Sequence, residues 1–237
     1  MIVESFEISS RYNRIKGLLT LPDGDGPVPC VVLSHGLISS KESSKYVTLS
    51  DVFAGAGIAS CRFDFHGCGE SGGRIEETTL TIRLENLDQV VDFVGGHRRI
   101  RADALGLLGS SFGASTSLIK TARDARVRCA SLWATPYRLG HTKDMTVDGI
   151  LFDEALFTDF ATYDLLAQAR KVSRALVIHG DMDDVVPWEE GHAIFDCLRE
   201  PRYFELIQGG DHTFTNAAHR ERAFKLALEW FIRYLKG

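Results

Sequence analysis

The stretch ALGLLGSSFGAS, residues 104–115, decides the fold and holds the first candidate for chemistry. Its apolar run ends at Gly109, and small residues from Gly113 onward begin a segment with helical spacing. This pattern predicts a buried strand that turns sharply into a helix, with Ser111 at the turn between two glycines. The pentapeptide alone leaves two interpretations open: a catalytic nucleophile, or a turn that is rich in small residues.

Short apolar runs of the same kind alternate with amphipathic segments along the chain. The eight predicted strands lie at about 3–8, 15–21, 30–36, 58–67, 104–110, 127–134, 175–181 and 203–207. The first two are separated by a short polar stretch and favour an antiparallel hairpin, whereas continuous apolar runs are typical of parallel strands covered on both faces. We therefore expect an α/β fold with an eight-stranded, mostly parallel central sheet flanked by helices.

One connection, at about 136–170, is too long for a simple link between a strand and a helix. It is also apolar, with Met145, Phe152, Phe157 and Phe160 among its side chains. Long connections in compact domains usually have a function or structure of their own, so a small helical cap is predicted here. The alternative is an ordinary crossover helix with an irregular loop. Residues 1–237 are expected to form a single domain that carries this insertion.

Bulk composition excludes several classes of protein. The chain of 237 residues has a formal net charge of -5, which gives no basic surface for nucleic acid. It has no basic, apolar leader and no apolar run long enough to span a membrane, so a cytoplasmic location is expected. The five cysteines are scattered without a C-x-x-C pair and are interpreted as reduced thiols, and no metal site is expected. A homo-oligomer stays open, although no stretch of sequence marks an interface.

A serine hydroxyl is a poor nucleophile at neutral pH and needs a base to accept its proton and an acid to orient that base. Two loops downstream of Ser111 contain residues that can act as this acid and this base. HGDMDDVVP, residues 179–187, follows one predicted strand and contains Asp181, Asp183 and Asp184. GGDHTF, residues 209–214, follows the last strand and contains His212.

Serine, aspartate and histidine in this order, each just after a strand, resemble the α/β-hydrolase family. The resemblance extends from LSHG, residues 33–36, to the last helix. It implies that Ser111 is the nucleophile, His212 the base and Asp183 the triad acid, with Asp181 and Asp184 as alternatives. The other histidines are weaker candidates because they lie in polar segments or in other recognisable loops: His35, His66, His97, His141, His179, His192 and His219.

The resemblance also implies an oxyanion hole built from the backbone N–H groups of Leu37 and Phe112. Substrate contacts are expected from His35, Gly36 and Tyr137, although His35 is interpreted chiefly as an organiser of its loop. Trp133 could line the pocket or pack in the core.

The segment RFDFHGCGESGG, residues 62–73, resembles a structural loop of the family. Asp64, His66 and Glu70 are accordingly given no catalytic role. Cys68 stands where family members commonly carry histidine, and this difference bears on the polarity of the pocket rather than on the triad.

The function implied is that of a serine hydrolase that cleaves a small-molecule carboxylic ester through an acyl-enzyme, without a cofactor. The quoted loops look most like those of feruloyl esterases, acylglycerol lipases and serine aminopeptidases, and the apolar cap favours an acyl or aromatic group over a charged one. A peptidase or thioesterase would use the same residues. A catalytically inactive binding module is the alternative from another class, since a fold does not dictate a function.

Overall fold

The computed structural model of the protein describes residues 1–140, 146–147 and 149–237. His141 and Met145, both discussed above, lie outside these ranges. The strands of the main sheet are β1 (Ile2–Ser9), β2 (Arg14–Leu21), β3 (Val28–Ser34), β4 (Ala59–Phe63), β5 (Ile100–Ser110), β6 (Val127–Trp133), β9 (Ala175–Gly180) and β10 (Arg202–Ile207), and a separate hairpin consists of β7 (Thr146–Val147) and β8 (Ile150–Leu151).

The main sheet has eight strands in the order β1-β2-β4-β3-β5-β6-β9-β10. β1 pairs with β2 and β2 with β4 in antiparallel fashion, and every other pairing is parallel. The predicted antiparallel start and mainly parallel sheet are therefore confirmed. Because the carboxyl ends of the parallel strands meet at one edge, the loops after β3, β5, β9 and β10 converge there.

Seven α-helices are described: α1 (Ser44–Gly55), α2 (Leu80–Gly95), α3 (Phe112–Arg123), α4 (Glu154–Ala161), α5 (Leu165–Ala169), α6 (Trp188–Cys197) and α7 (Ala217–Phe231). A 3-10 helix at Ile75–Glu77 precedes α2, and a π-helix at Ile232–Lys236 extends α7. α1 and α7 pack on one face of the sheet, while α2, α3 and α6 cover the other. This arrangement of a sheet between two helical layers buries the central strands β3, β4, β6 and β9 on both faces, as their continuous apolar sequences require.

The connection between β6 and β9 contains the β7–β8 hairpin and helices α4 and α5. We call this segment the cap. Phe160 of α4 packs against Phe112, the first residue of α3, with ring centroids 5.5 Å apart. Asp159 accepts hydrogen bonds from the backbone N–H and the hydroxyl of Thr81 in α2, at 2.9 and 2.5 Å. The cap is thus attached both to the helix that follows β5 and to α2.

The turn from β5 into α3 is built on two very close backbone contacts. A Cβ added at Gly109 would lie 2.4 Å from the carbonyl oxygen of Gly113, and one added at Gly113 would lie 2.2 Å from that of Ser34. Ser111 between them has φ 55°, a conformation that few residues other than glycine adopt. The two glycines are therefore required by packing, as their spacing in the sequence predicts.

All five cysteines are free, and four of them are buried. Among the described residues, no helix has the length and hydropathy needed to cross a membrane.

Replacing Gly113 by alanine tests the close contact between α3 and β3. The methyl group would overlap the Ser34 and His35 carbonyls, so we expect Gly113→Ala to lower the free energy of unfolding by roughly 1–3 kcal/mol. Gly55→Ala is the control, because Gly55 ends α1, is exposed and has no neighbour near its missing Cβ. That change should be neutral or stabilising by up to about 1 kcal/mol. Equal urea denaturation midpoints for the two variants would contradict the packing argument.

Candidate active site

Ser111 lies at the carboxyl edge of the sheet, at the N-cap position of α3. Its backbone N–H donates to the carbonyl of Trp133 at 2.8 Å, and its own carbonyl accepts from the N–H of Ala114 at 2.8 Å. These bonds hold the serine in its strained conformation. The hydroxyl oxygen makes no hydrogen bond with any described residue, and Ser111 lines a large cavity.

His212 follows β10 and lines the same cavity. Its Nδ1 lies 2.8 Å from Oδ2 of Asp183 and 3.0 Å from Oδ1. An ionised carboxylate only accepts hydrogen bonds, so Nδ1 carries the proton and Nε2 is left as the acceptor. No described residue hydrogen-bonds to Nε2, which leaves this nitrogen available for chemistry in the cavity.

Asp183 is held by four hydrogen bonds although its side chain is fully buried. Its Oδ1 accepts from the backbone N–H groups of Val185 and Val186 at 2.9 and 2.8 Å. Its Oδ2 faces Nε2 of His179 at 3.2 Å as well as His212. Burial by itself would raise the pKa of Asp183, but these hydrogen bonds outweigh it and hold the pKa well below its usual range. Asp183 is therefore ionised at neutral pH.

The two neighbouring aspartates, which the sequence left open as alternatives, do not contact His212. Asp181 accepts a hydrogen bond from the backbone N–H of Gly209 at 2.6 Å and so ties the loop after β9 to the loop after β10. Asp184 is exposed and forms no hydrogen bond or ion pair with the described chain. Neither Asp181 nor Asp184 caps α6, whose N-cap residue is Pro187.

His179 is a second histidine on the same carboxylate, which the sequence analysis assigned only to a loop. It is fully buried, and its Nε2 lies 3.0 Å from the carbonyl of Val186 and 3.2 Å from Asp183. Both of these partners are acceptors, so Nε2 carries the proton and its N–H contributes to holding Asp183 in place. The spacing of four residues between His179 and Asp183 in HGDMD was the only signal of this contact.

The two predicted oxyanion donors, Leu37 and Phe112, line the same cavity as Ser111. Leu37 follows β3, and Phe112 is the first residue of α3. Neither backbone N–H donates a hydrogen bond within the described part of the chain. Phe112 is also at the N-terminal end of a helix of 12 residues, where the partial positive charge of the helix favours negative charge.

Arg83 of α2 holds the loop that carries Leu37, and sequence reasoning missed it. Its side chain is fully buried. Its two terminal nitrogens donate to three successive carbonyls, those of His35 at 3.3 Å, Gly36 at 3.1 Å and Leu37 at 2.8 Å. Three carbonyls that accept from one planar guanidinium are turned to the same side, so Arg83 fixes the course of the backbone there.

The positive charge of Arg83 has no ion-pair partner among the described carboxylates. Its guanidinium carbon lies 4.6 Å from the ring centroid of Phe65 and 5.0 Å from that of Phe112. The thiol of Cys68 lies 3.7 Å from Nη2 and 3.6 Å from the carbonyl oxygen of Leu37. The unusual cysteine of this loop thus packs against the arginine and not in the cavity wall.

The substrate contacts predicted for His35, Gly36 and Tyr137 stay predictions, and the structure shows where these residues lie. His35 is buried, with Nδ1 bonded to the carbonyl of Gly36 at 2.8 Å and Nε2 accepting from the N–H of Phe65 at 3.0 Å. Both ring nitrogens are used, so His35 organises its loop. Tyr137 is not among the residues that line the cavity, whereas Gly36 is.

Trp133 belongs to the core, as the alternative interpretation had it. It is fully buried, its Nε1 donates to the hydroxyl of Ser131 at 2.7 Å, and its ring packs on Phe214 and Phe224.

The loop at 62–73 is held together by one buried ammonium group. Nζ of Lys41 lies 2.7 Å from Asp64 and 2.5 Å from Glu70, and the backbone N–H of Glu70 also donates to Asp64 at 2.9 Å. Asp64 is fully buried and does not line the cavity. Asp64 and Glu70 therefore stabilise the conformation of this loop.

The cavity itself has a volume of about 720 Å³. Apolar side chains of the cap region form one part of its wall: Leu139, Val147, Leu156 and Phe157. The first turn of α1 and the loop that carries His212 form another part. A space of this size and mixed character is typical of a site for a small organic molecule.

The sheet topology, the strained serine at the turn after β5 and the Asp–His pair after β9 and β10 have the arrangement that the sequence resemblance to α/β-hydrolases led us to expect. The family model described as serine aminopeptidase, S33, matches residues 25–151, more than half of the chain. The chain belongs to this family of α/β-hydrolases.

The curated relatives of this chain have low sequence identity to it. YfhR of Escherichia coli strain K12, an uncharacterized protein, is 24% identical over 218 residues, which cover 88% of this chain and 73% of YfhR. YfhR of Salmonella typhimurium is 24% identical over 182 residues, or 72% of this chain and 60% of that protein. The chain thus spans about three fifths of the length of this relative.

Solved structures share the fold at low sequence identity. Est1E from Butyrivibrio proteoclasticus, solved with ferulic acid, has a TM-score of 0.89 and 20% identity, covering 98% of this chain and all of that one. The esterase domain of a Rhodothermus marinus protein has a TM-score of 0.78 and 22% identity, covering 99% and 100% of the two chains. At these identities the likeness establishes the fold alone.

Proposed function

We propose that the protein is a serine hydrolase of small carboxylic esters. Ser111 attacks the ester carbonyl while Nε2 of His212 takes its proton, and the same nitrogen then returns the proton to the leaving alcohol. Water hydrolyses the resulting acyl-enzyme by the reverse use of His212. Asp183 keeps the imidazole in the tautomer that leaves Nε2 free and stabilises the imidazolium that forms.

The observation that carries this proposal is the contact between His212 and a buried, ionised Asp183, in a cavity that also exposes the strained Ser111. A carboxylate removed from water is costly unless it is well hydrogen-bonded, and this one is. No hydrogen bond joins Ser111 to His212 in the structure. Such bonds are often long without substrate and shorten in the Michaelis complex.

The N–H groups of Leu37 and Phe112 would bind the oxyanion of the tetrahedral intermediate. Support comes from their lack of any other acceptor in the described chain and from their position around Ser111. Arg83 is a positioning residue in this scheme, because it holds the backbone that presents the Leu37 N–H. Its charge, 5.0 Å from the Phe112 ring, also has the sign that favours an oxyanion.

An ester fits the cavity better than the substrate of an aminopeptidase. Recognition of a free α-ammonium group requires an acceptor, most simply an unpaired carboxylate. Among the described lining residues the only carboxylate is that of Glu190. Its Oε1 accepts from Arg138 at 3.0 Å and its Oε2 from the N–H of Tyr137 at 3.0 Å. A carboxylate engaged in this way is a poor partner for a substrate amine.

Fluorophosphonate labelling of the intact protein tests the nucleophile without knowledge of the substrate. We expect one adduct by mass spectrometry on the native protein and none on Ser111→Ala. Ser110→Ala is the matched control, since this neighbouring serine also lines the cavity, and it should still take up one adduct. An adduct on folded Ser111→Ala, or no adduct on the native protein, would refute the assignment.

The triad acid is tested by comparing three aspartate variants in the hydrolysis of 4-nitrophenyl butyrate. Asp183→Asn should lower kcat by about 10³–10⁴, because an amide no longer selects the productive imidazole tautomer. Asp184→Asn should stay close to the native rate, and Asp181→Asn should lose much less than Asp183→Asn, since neither contacts His212. The reverse order of losses would move the triad acid.

The positioning role of Arg83 is tested by measuring the effects of its substitution on kcat and on KM separately. Removal of one oxyanion donor costs about 10²–10³ in kcat. We therefore expect Arg83→Met, which releases the Leu37 loop, to lower kcat by about 10- to 100-fold with a smaller change in KM. Arg83→Lys, which retains the charge, should recover part of the loss. Native kcat in a folded Arg83→Met protein would show that the loop holds its position without the guanidinium.

A further inference from the structure

The charges of the described residues that line the cavity are unbalanced, although the whole chain has a formal net charge of -5. Among the described lining residues, the cationic side chains are Lys45, Arg138 and Arg220, and the one anionic side chain is Glu190. Arg138 and Glu190 form an ion pair with an N–O distance of 3.0 Å. Lys45 and Arg220 are left as two positive charges without a described carboxylate partner.

Lys45 lies in the first turn of α1 and contacts Ser110, the residue that precedes the predicted nucleophile Ser111. Its Nζ donates to the hydroxyl oxygen of Ser110 at 2.9 Å. An ammonium group has three donors, and this is the one hydrogen bond it makes with the described chain. Burial, with a smaller contribution from the charge of Arg220, lowers the pKa of Lys45 to about 8. The ammonium form is still the major one at neutral pH.

Arg220 lies in α7, shortly after the loop that carries His212. It is half-buried, and its side chain makes no hydrogen bond or ion pair with a described residue. It is close enough to Lys45 to affect its charge. Two neighbouring cations that repel each other are costly to keep at a partly buried wall, and a bound anion would offset that cost.

The cavity wall beside Lys45 also favours a bound anion. Ser43 and Ser44 line the cavity beside Lys45, and the first turn of α1 has no acidic residue. The partial positive charge of that helix end adds to the charge of the two side chains. The cap side of the cavity is apolar, as described above.

We propose that the substrate carries an anionic group of the carboxylate type, which binds Lys45 and Arg220 on the wall formed by α1 and α7. Its apolar portion packs against the cap. This inference rests on the proposed esterase function and narrows the substrate class to charged esters, namely half-esters of dicarboxylic acids or esters of alcohols that bear a carboxylate. It differs from the sequence-based expectation that an uncharged acyl or aromatic group fits best.

The test compares matched pairs of esters that differ only in this charge. Mono-4-nitrophenyl glutarate and its methyl-capped diester place the charge on the acyl side. 4-Butyryloxybenzoate and its methyl ester place it on the alcohol side. For at least one pair, the native protein should have a kcat/KM for the anionic ester that is about tenfold or more above that for the neutral one. One charge-assisted hydrogen bond is sufficient for a factor of that size.

The variants assign this preference to the two cations. In the double variant Lys45→Met, Arg220→Gln, the ratio of anionic to neutral kcat/KM should fall to about two or less. Arg220→Gln alone should lower it in part, and this variant leaves the contact between Lys45 and Ser110 in place. Lys225→Gln, which removes a charge from the same helix but outside the cavity lining, should retain the native ratio.

Two results would overturn the inference: a native ratio of one or less for both pairs, or a preference that persists in the double variant. Its failure is distinct from that of the esterase function, since neutral esters would then still be hydrolysed and the fluorophosphonate adduct would still form. Calorimetric binding of both pairs to Ser111→Ala gives the same comparison without turnover. Equal affinities for the anionic and the neutral members of both pairs would count against the anion site even if no ester were hydrolysed.

Discussion

The absence of a side chain at Gly113 is the constraint on which the site depends. It lets the first turn of α3 approach the end of β3 so closely that a single methyl group would overlap the Ser34 carbonyl. This contact fixes where α3 begins, and Ser111 must therefore adopt a positive φ to join β5 to the helix. Strain of this kind costs roughly 1–3 kcal/mol and persists only where the surroundings determine the backbone. Here the surroundings are the central strands of the sheet.

The same close approach brings the loop after β3 beside the serine. That loop has no regular secondary structure to hold it, and the structure uses the buried guanidinium of Arg83 to bind three of its carbonyls. Asp183 is stabilised in a comparable way on the other side of the site, by two histidines and two backbone N–H groups. In both places a buried charge is matched by directed hydrogen bonds rather than by an opposite charge alone, so its position is well defined.

The sequence predicted most of the fold, and it also singled out the three residues of the proposed triad, because each depended on a local pattern. Buried strands give continuous apolar runs, and the crowded turn requires its two glycines. Arg83 could not be predicted, since its partners are backbone carbonyls that leave no mark on the sequence. It also lies next to Leu84 in an amphipathic helix, where an arginine is ordinarily solvated. The surroundings of the His35 and Tyr137 side chains were also beyond the sequence, because a position in a loop does not determine which way its side chain points.

Lys45 escaped prediction for another reason, because its importance lies in what is missing around it. A cation without a carboxylate partner can be recognised only from the folded chain, where the carboxylates of the described residues can be located.

The positive charges near the cavity differ in what they can do for a reaction. Arg83 lies behind the loop of the proposed oxyanion hole, where charge develops only as the carbonyl is attacked. An interaction that strengthens in the transition state raises kcat. Lys45 and Arg220 lie in the wall of the cavity, where they would meet a charge that the substrate already has. Such a contact is equally strong before and during the reaction, so it lowers KM and selects among substrates without accelerating the chemical step. In the proposed scheme, catalysis and substrate selection thus depend on different cations. Arg83, which does not line the cavity, bears on rate, whereas Lys45 and Arg220, which line it, bear on specificity.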